Sequence, residues 1–430
     1  MKNNFLKYSR LSIRNGIFMF SSIRGLLSLE TNKIIDDLKH PFTCPDSGGT
    51  LKGLYDLDWI HKSIDREELK TRPSGIWRWH ELLPVRDPEN VISLHEGDTP
   101  LIHAQELGKE LGLERLFILD ESRNPTGSFK DRGGSVTISK CKEVGIEQIV
   151  LPSSGNAAAC FSAYCARGGL DFIGFVRDDS SQAHCVQVEA YGASTFVVNG
   201  DQGVCGRLAE EVSRELKCLH ATLPRNLYRV EGKKTIAYEI AEKFNWEVPD
   251  RVICPTAGGT TCIALEQGFS ELIQLGWIDR IPAIDVVQSD GCAPIVESLH
   301  SGKKVKPWGK VDTMSAGLTS PSPACGDKVV EIVKKTGGEG VEVTDQMNLE
   351  MEFLLAKKEG IFLQPASAAS IASLTNQGNR KIKPQKSETI VCIGTGTGKN
   401  AIEVATGHLG KTRRIEPDIK EFLKIYRGNE

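Results

Sequence analysis

Lys130 is the residue of this sequence best suited to covalent chemistry, in the segment 124–133 that reads NPTGSFKDRG. An apolar run at 116–119 precedes the segment, and a helix-prone stretch from about Ser135 to Val144 follows it. A lysine on a turn from a strand into a helix lies near the positive end of the helix, which favours its neutral amine. A neutral amine forms a Schiff base with an aldehyde cofactor. The alternative is a solvated lysine at a helix start, the commoner role of a lone lysine.

Three further turns combine small and polar residues at the ends of apolar runs. Residues 152–156 (PSSGN) and 255–261 (PTAGGTT) each precede a helix-like stretch, and 394–400 (GTGTGKN) follows a third apolar run. A helix N-terminus favours an anion, and successive N–H groups at a glycine-rich turn form an anion nest. The first turn suits a carboxylate and the second a phosphate. Taken singly, each is equally compatible with an ordinary helix cap.

Two side chains in these turns have the chemistry to bind an aromatic cofactor. Asn156 can hydrogen-bond a phenolic oxygen, and the hydroxyl of Thr395 can hydrogen-bond a ring nitrogen. Together with the amine of Lys130 and the nest at 255–261, they supply the groups that pyridoxal 5′-phosphate requires. Each signal is weak alone, but four of them at the ends of predicted strands point to one site.

The elements that must position these turns follow from the pattern of the chain after residue 115. Apolar runs alternate with amphipathic, helix-like stretches, and the predicted strands are 116–119, 148–151, 172–176, 195–198, 252–254, 284–287, 340–343 and 389–393. Alternation of strand and helix predicts an α/β protein with parallel sheets covered by helices on both faces. Ligands of such sheets bind beyond the carboxyl ends of the strands, where all four turns lie.

Composition limits the possible partners. The chain has 430 residues, enough for two or three domains, and a formal net charge of −3. It contains no apolar run of membrane-spanning length and no basic stripe, so we predict neither a membrane nor a nucleic acid as partner. Its 12 cysteines include no Cys-x-x-Cys pair, which indicates free thiols in a reducing compartment.

The N-terminus differs from the rest of the chain. Residues 1–29 carry five Lys or Arg residues and no acid before Glu30. That composition is typical of an organelle transit peptide, and a disordered tail is the alternative. We therefore predict a cytoplasmic protein, or a protein of an organelle matrix if residues 1–29 are a transit peptide.

Residues 44–49 (CPDSGG) resemble the second knuckle of a zinc ribbon. Ser47 occupies the position of the second thiolate, and no upstream cysteine pair exists. Because a structural zinc ion needs four thiolate or imidazole ligands, we predict a degenerate ribbon that keeps the turn and binds no metal.

Four segments together resemble the threonine synthase family: 124–133, 153–158 (SSGNAA), 359–370 (EGIFLQPASAAS) and the Thr-Gly-x-Gly turn at Thr395. That family belongs to the fold type II, tryptophan synthase β-like enzymes that use pyridoxal phosphate. The resemblance implies two parallel-sheet α/β domains with the cofactor between them, in a homodimer. The expected division is a possible targeting or disordered tail at 1–35, a degenerate zinc-ribbon-like extension at 36–75, a large cofactor-binding domain at 76–133 and 223–430, and a small α/β domain at 134–222.

The resemblance also implies a role for each candidate residue. Lys130 would bond to the cofactor aldehyde and later act as the base, Asn156 would hold the cofactor O3′, and Thr395 would hold its ring nitrogen. The residues implied to hold the cofactor phosphate are Ala257, Gly258, Gly259, Thr260 and Thr261. Those implied to bind the substrate, O-phosphohomoserine, are Ser128, Ser153, Ser154, Gly155 and Arg229. The products would be threonine and phosphate.

Several departures from the family pattern keep other activities open. Residues 229–235 (RVEGKKT) resemble the family's Arg-x-Glu-Gly-Gln-Lys-Thr, whose arginine faces the substrate phosphate. The preceding 223–228 (LPRNLY) lacks the polar pair common in the family and adds Arg225, and Ala157 replaces a common threonine. One alternative is therefore β-replacement or β-elimination on O-phosphoserine or a related amino acid, as in cysteate synthase. A non-catalytic homologue that binds the cofactor is the other.

Overall fold

The computed structural model describes residues 13–14, 17–47, 49–153, 155–177, 182–200, 202–222, 226–376, 378–409 and 414–427. The strands of this part of the chain are β1 (Ile13–Arg14), β2 (Ile17–Phe18), β3 (Ile23–Ser28), β4 (Ile34–Ile35), β5 (Leu51–Tyr55), β6 (Leu101–His103), β7 (Arg115–Asp120), β8 (Gln148–Pro152), β9 (Asp171–Arg177), β10 (Ser194–Val198), β11 (Leu219–His220), β12 (Arg251–Pro255), β13 (Ala283–Ser289), β14 (Gly340–Val343) and β15 (Thr389–Gly394).

The helices of the described residues are α1 (Leu57–Ser63), α2 (Gln105–Leu111), α3 (Lys130–Glu143), α4 (Asn156–Gly168), α5 (Gln182–Ala190), α6 (Gln202–Glu215), α7 (Tyr228–Lys233), α8 (Thr235–Lys243), α9 (Thr260–Gln274), α10 (Pro294–Ser301), α11 (Gly326–Thr336), α12 (Asp345–Glu359), α13 (Pro365–Ala372), α14 (Ile402–Thr406) and α15 (Ile419–Arg427). None of them is long and apolar enough to span a membrane.

The larger sheet has six strands in the order β14-β13-β12-β15-β7-β6. All neighbours are parallel except β6, which runs antiparallel to β7. Val391 and Ile393 of β15 pack in the core on one face, with α8, α9, α10 and α11. Ile390 and Cys392 pack in the core on the other face, with α12 and α13. Burial on both faces explains why these strands read as unbroken apolar runs.

The smaller sheet has four parallel strands in the order β10-β9-β8-β11. Helices α3, α4 and α6 cover it, with α4 packed against α3 and α6 against β8. Two parallel sheets covered by helices confirm the predicted fold class. All strands of the smaller sheet come from the segment 134–222, and the predicted domain boundaries remain a proposal.

The N-terminal segment corrects one prediction. Residues 23–28 form β3, which lies between β4 and β5 in a three-stranded antiparallel sheet. Phe20 and Leu26 are buried, and the ring of Phe20 stacks 6.4 Å from that of Trp77. The expectation of a tail over 1–35 is therefore wrong from Phe20 onward, because these apolar side chains complete the core. Residues 1–12, 15 and 16 lie outside the described residues, and the targeting prediction remains untested.

In the segment that resembles a zinc-ribbon knuckle, the thiol of Cys44 is buried and lies beside two serine hydroxyls. Hydrogen bonds from Ser47 and Ser28 lower the pKa of the buried Cys44 thiol to about 7. Within the described residues, no group of three or more His, Cys, Asp or Glu side chains is arranged to hold a metal ion.

Helix α3 begins earlier than the sequence predicts. The expected start is near Ser135, after Gly133 and Gly134, and glycine has low helix propensity. The helix instead begins at Lys130. Its N-terminal turns pack closely against α7, where a Cβ added to Gly133 would lie 2.8 Å from Cα of Arg229. Tertiary packing therefore selects glycine here and extends the helix to Lys130.

Candidate active site

Backbone hydrogen bonds join the turn before Lys130 to the turn after β15. Phe129 donates its N–H to the carbonyl of Thr395 at 3.0 Å, and Thr397 donates to the carbonyl of Gly127 at 2.9 Å. Asp131 holds the first turn from within, since its carboxyl accepts bonds from the backbone N–H and the hydroxyl of Thr126 at 2.7 and 2.5 Å. Lys130 therefore emerges beside Thr395 on a turn fixed from two sides.

Lys130 lies in an environment that favours its neutral form. Its side chain is only partly exposed, and Nζ lies 3.9 Å from the centroid of the Phe129 ring. Burial, followed by the positive charge of Arg229, lowers the pKa of Lys130 to about 7. About half of the amine is then unprotonated at neutral pH, which makes it available as a nucleophile or base. The sequence predicted a neutral Lys130 because the residue lies close to a helix N-terminus, whereas burial and the charge of Arg229 are the main causes of its lowered pKa.

Lys130 opens into a cavity of about 160 Å³. The cavity lies beyond the carboxyl ends of β7, β12 and β15, which are neighbours in the larger sheet. The predicted site residues that line it are Lys130, Arg229, Ala257, Gly258, Gly259, Thr260, Thr261 and Thr395. Three of the four predicted turns therefore meet at one place, as the parallel topology requires.

Ser128, Ser153 and Gly155 were also predicted to bind the substrate, and they lie away from the cavity wall. Ser128 is fully buried, and its backbone pairs with Gly396. Ser153 and Gly155 flank the end of β8 and the start of α4, and neither lines the cavity described above. Ser154 lies outside the described residues. Their predicted contacts with a substrate carboxylate therefore remain predictions.

Asn156 links the smaller sheet to the cavity through a neighbour. Its amide donates to Oε1 of Gln364 at 3.2 Å, and its carbonyl oxygen accepts a bond from Nδ2 of Asn400 at 2.8 Å. Nε2 of His184 lies 3.1 Å from the same oxygen. Gln364 itself lines the cavity. The side chain of Gln364 therefore stands between Asn156 and the cavity in which Asn156 is predicted to hold the cofactor O3′. The sequence identified neither Gln364 nor His184 as a neighbour of Asn156.

The turn after β12 has the backbone shape of an anion site. Gly259 immediately precedes α9 and has φ of +89°, in the left-handed region that favours glycine. A Cβ at Gly259 would also clash with the side chain of Val329. The N-terminus of the 15-residue helix α9, with the hydroxyls of Thr260 and Thr261, therefore faces the cavity. A phosphate fits this combination of N–H groups, hydroxyls and helix dipole.

The hydroxyl of Thr395 has a buried partner. Its Oγ1 lies 2.7 Å from Oγ of Ser367, the third residue of α13. Both hydroxyls are buried, and Thr395 lines the cavity. Ser367 can therefore fix the orientation of the Thr395 hydroxyl, a role that the sequence did not reveal.

Two further cations border the cavity. Arg229 is 9% exposed and Lys233 is 1% exposed, and both line it. Burial lowers the pKa of each. No ion pair with a carboxylate involves either side chain within the described residues. The sequence singled out Arg229 but not Lys233, although Lys233 stands where the resembled family pattern has glutamine.

The residues present fit a cofactor with an aldehyde, a phosphate and a ring nitrogen. The cavity brings together a neutral amine, a glycine-rich helix start with two hydroxyls, and a buried threonine hydroxyl. Arg229 and Lys233 have no carboxylate partner among the described residues, and an anion in the cavity would stabilise their charges, because an isolated buried charge is costly. Pyridoxal 5′-phosphate has all these groups.

Comparison with known proteins agrees with this chemistry. Residues 92–396 match the model of the family described as pyridoxal-phosphate dependent enzyme. Threonine synthase from Methanocaldococcus jannaschii is 36% identical over 386 residues, covering 89% of this chain and 95% of the relative. Threonine synthase from Methanosarcina acetivorans is 33% identical over 358 residues, covering 83% and 87%. The solved structure of threonine deaminase isoform 2 from Solanum lycopersicum superposes with a TM-score of 0.61 at 20% identity, covering 85% of this chain and 89% of that one.

Proposed function

This chain belongs to the pyridoxal-phosphate dependent enzymes, of fold type II, and we propose that within this family it is a threonine synthase. The proposed reaction converts O-phosphohomoserine and water into threonine and phosphate. The observation that carries the proposal is the buried guanidinium of Arg229, which lines the same cavity as Lys130 and has no carboxylate partner within the described residues. A guanidinium suits a phosphate dianion. The relatives named threonine synthase support the same proposed reaction.

The proposed cofactor contacts follow the cavity wall. Lys130 would bond to the aldehyde, the turn 257–261 would hold the phosphate, and Thr395 would hydrogen-bond the ring nitrogen. Asn156 is proposed to hold O3′. When bound, pyridoxal phosphate supplies a carbonyl that captures the substrate amine and a ring that withdraws electrons from Cα. A neutral hydroxyl at the ring nitrogen, in place of a carboxylate, would not enforce a protonated ring.

Lys130 is the proposed base for the proton transfers. With a pKa of about 7, its amine can take one proton from Cα and another from Cβ, and can later return one to Cγ and one to Cα. Arg229 would bind the distal phosphate and stabilise it as the Cγ–O bond breaks, with Ser128 as a proposed helper. Water then adds its oxygen at Cβ. Ser153, Ser154 and Gly155 are proposed to bind the substrate carboxylate at the start of α4.

The test is phosphate release by the purified, cofactor-loaded protein. O-phosphohomoserine and O-phosphoserine would be supplied separately, the second with and without sulfite, and amino-acid products would be identified. We expect phosphate and threonine from O-phosphohomoserine. Release only from O-phosphoserine would reject threonine synthase in favour of β-replacement or β-elimination. No release from either, by a protein that binds the cofactor, would favour the non-catalytic alternative.

A further inference from the structure

Lys233 is a buried lysine at the mouth of the phosphate turn. It is the last residue of α7, its side chain is 1% exposed, and Nζ donates a hydrogen bond to Oγ1 of Thr260 at 2.9 Å. Thr260 is the first residue of α9. Nζ also lies 4.7 Å from the centroid of the Phe129 ring. The amine of Lys233 therefore lies against the end of the cavity where the N–H groups of α9 begin.

The adjacent lysine shows how this protein buries a paired lysine. Lys234 is also fully buried, but its Nζ lies 2.7 Å from a carboxylate oxygen of Glu231 and 3.0 Å from one of Glu271. Lys233 has a hydroxyl and an aromatic ring as neighbours and no carboxylate within the described residues. Among the described residues, therefore, Lys234 has two carboxylate partners and its neighbour Lys233 has none.

The surroundings of Lys233 are positive. Burial, the charge of Lys130 and the charge of Arg229 all lower the pKa of Lys233. The positive end of the α9 dipole faces it through Thr260. A lysine among cations in a buried place either loses its proton or is stabilised as a cation by an anion that joins them. The contact with Thr260 puts that anion at the glycine-rich turn and not at the far side of the cavity.

We propose that Lys233 is a direct ligand of the cofactor phosphate, which it binds together with the turn 257–261. The cofactor phosphate is a dianion, so its charge balances Lys233 and the end of α9. Arg229 is then left to bind the distal anion of the substrate. The inference rests on the family's cofactor and on the proposed phosphate turn, and it does not depend on which amino acid the enzyme converts.

The test compares pyridoxal phosphate with pyridoxal, which has the same aldehyde and ring but no phosphate. The full-length protein is freed of cofactor and titrated with each compound while its absorbance is followed. In Lys233→Met, we expect the affinity for pyridoxal phosphate to fall about 10- to 100-fold, the usual effect of losing one hydrogen bond to a charged group. The affinity for pyridoxal should stay at the wild-type value, because only the phosphate contact is lost.

Arg229→Met is the matched control, since it removes another basic side chain of the same cavity that has no carboxylate partner among the described residues. It should keep the wild-type ratio of the two affinities. The proposal would be overturned if Lys233→Met kept the wild-type ratio of the affinities for pyridoxal phosphate and pyridoxal. The ratio is kept if neither affinity changes, or if both fall by the same factor, which would place the effect at Lys130. If Lys233→Met does not fold, Lys233→Gln keeps a polar contact to Thr260 and is read in the same way. Because turnover is not measured, a negative result here leaves the proposed reaction untouched.

Discussion

Gly133 and Arg229 lie so close that a Cβ atom on the glycine would be 2.8 Å from Cα of the arginine. The contact joins α3, which begins with Lys130, to α7, which carries both Arg229 and Lys233. Because α3 and α7 meet backbone to backbone, three basic side chains from two chain segments can line one cavity of about 160 Å³. The glycine thus sets the spacing of the groups proposed to bind the cofactor and the substrate.

Gly133→Ala should destabilise the protein and disturb substrate binding. The added methyl group has backbone atoms of Arg229 as neighbours, at 2.8 and 2.9 Å, so the helices must separate. Overpacking of this kind costs about 1–3 kcal/mol. The control is Gly206→Ala in α6, where nothing lies within 4 Å of the added Cβ and where the alanine should stabilise the helix. Urea denaturation followed by circular dichroism gives the unfolding midpoint of each variant. Equal midpoints for Gly133→Ala and Gly206→Ala would contradict the packing argument.

Capture of pyridoxal by the cofactor-free protein should depend on pH through Lys130. Only the unprotonated amine reacts, and the pKa of Lys130 is lowered to about 7. The rate should therefore rise with pH, reach half its maximum near pH 7 and then level off. An ordinary lysine would give a midpoint of about 10.4. Stopped-flow absorbance provides the rates, and pyridoxal avoids titration of the cofactor phosphate. Lys130→Ala should show no capture and no turnover.

Removal of the charge of Arg229 should have two separate effects. Arg229→Met should lower kcat/KM for the phosphorylated substrate about 10- to 100-fold, since a charge-assisted hydrogen bond is lost. It should also move the midpoint of the pyridoxal capture profile to higher pH, because Arg229 lowers the pKa of Lys130. Arg229→Lys keeps a positive charge and should restore most of the second effect but less of the first. An unchanged midpoint in Arg229→Met would show that its charge does not act on Lys130.

Arg132→Met should be among the most destabilising single changes in the protein. Arg132 is fully buried between Glu121 and Glu239, with nitrogen–oxygen distances of 2.6 and 2.7 Å. Its removal leaves two buried carboxylates without their partner, which costs about 3–5 kcal/mol. Lys328→Met is the control, because the pair of Lys328 with Glu331 is exposed and contributes at most about 1 kcal/mol. Comparable denaturation midpoints for the two variants would refute this role of Arg132.

The sequence alone was sufficient for eight of the ten strands in the six- and four-stranded sheets and for the chemistry of the turns, but not for the three-stranded N-terminal sheet. Apolar runs bounded by turns predicted eight strands, and the structure extends them by at most two residues at either end. In parallel sheets the strand ends share an edge, so the turns at Lys130, 257–261 and Thr395 could be expected to converge. The prediction of a pyridoxal phosphate enzyme followed from their residue types and from resemblance, and the family match confirms it.

Only the tertiary structure decided which side chains face the cavity and how they are charged. Lys233 and Lys234 are neighbours of identical type. Among the described residues, Lys233 lines the cavity without a carboxylate partner, whereas Lys234 is paired with Glu231 and Glu271. Asn156 reaches the cavity through Gln364, which is 208 residues away in the chain. Local sequence patterns fix the type and order of elements through backbone propensity and burial. Burial, pairing and pKa depend on residues brought together from distant segments, and those contacts exist only after the sheets and helices have packed.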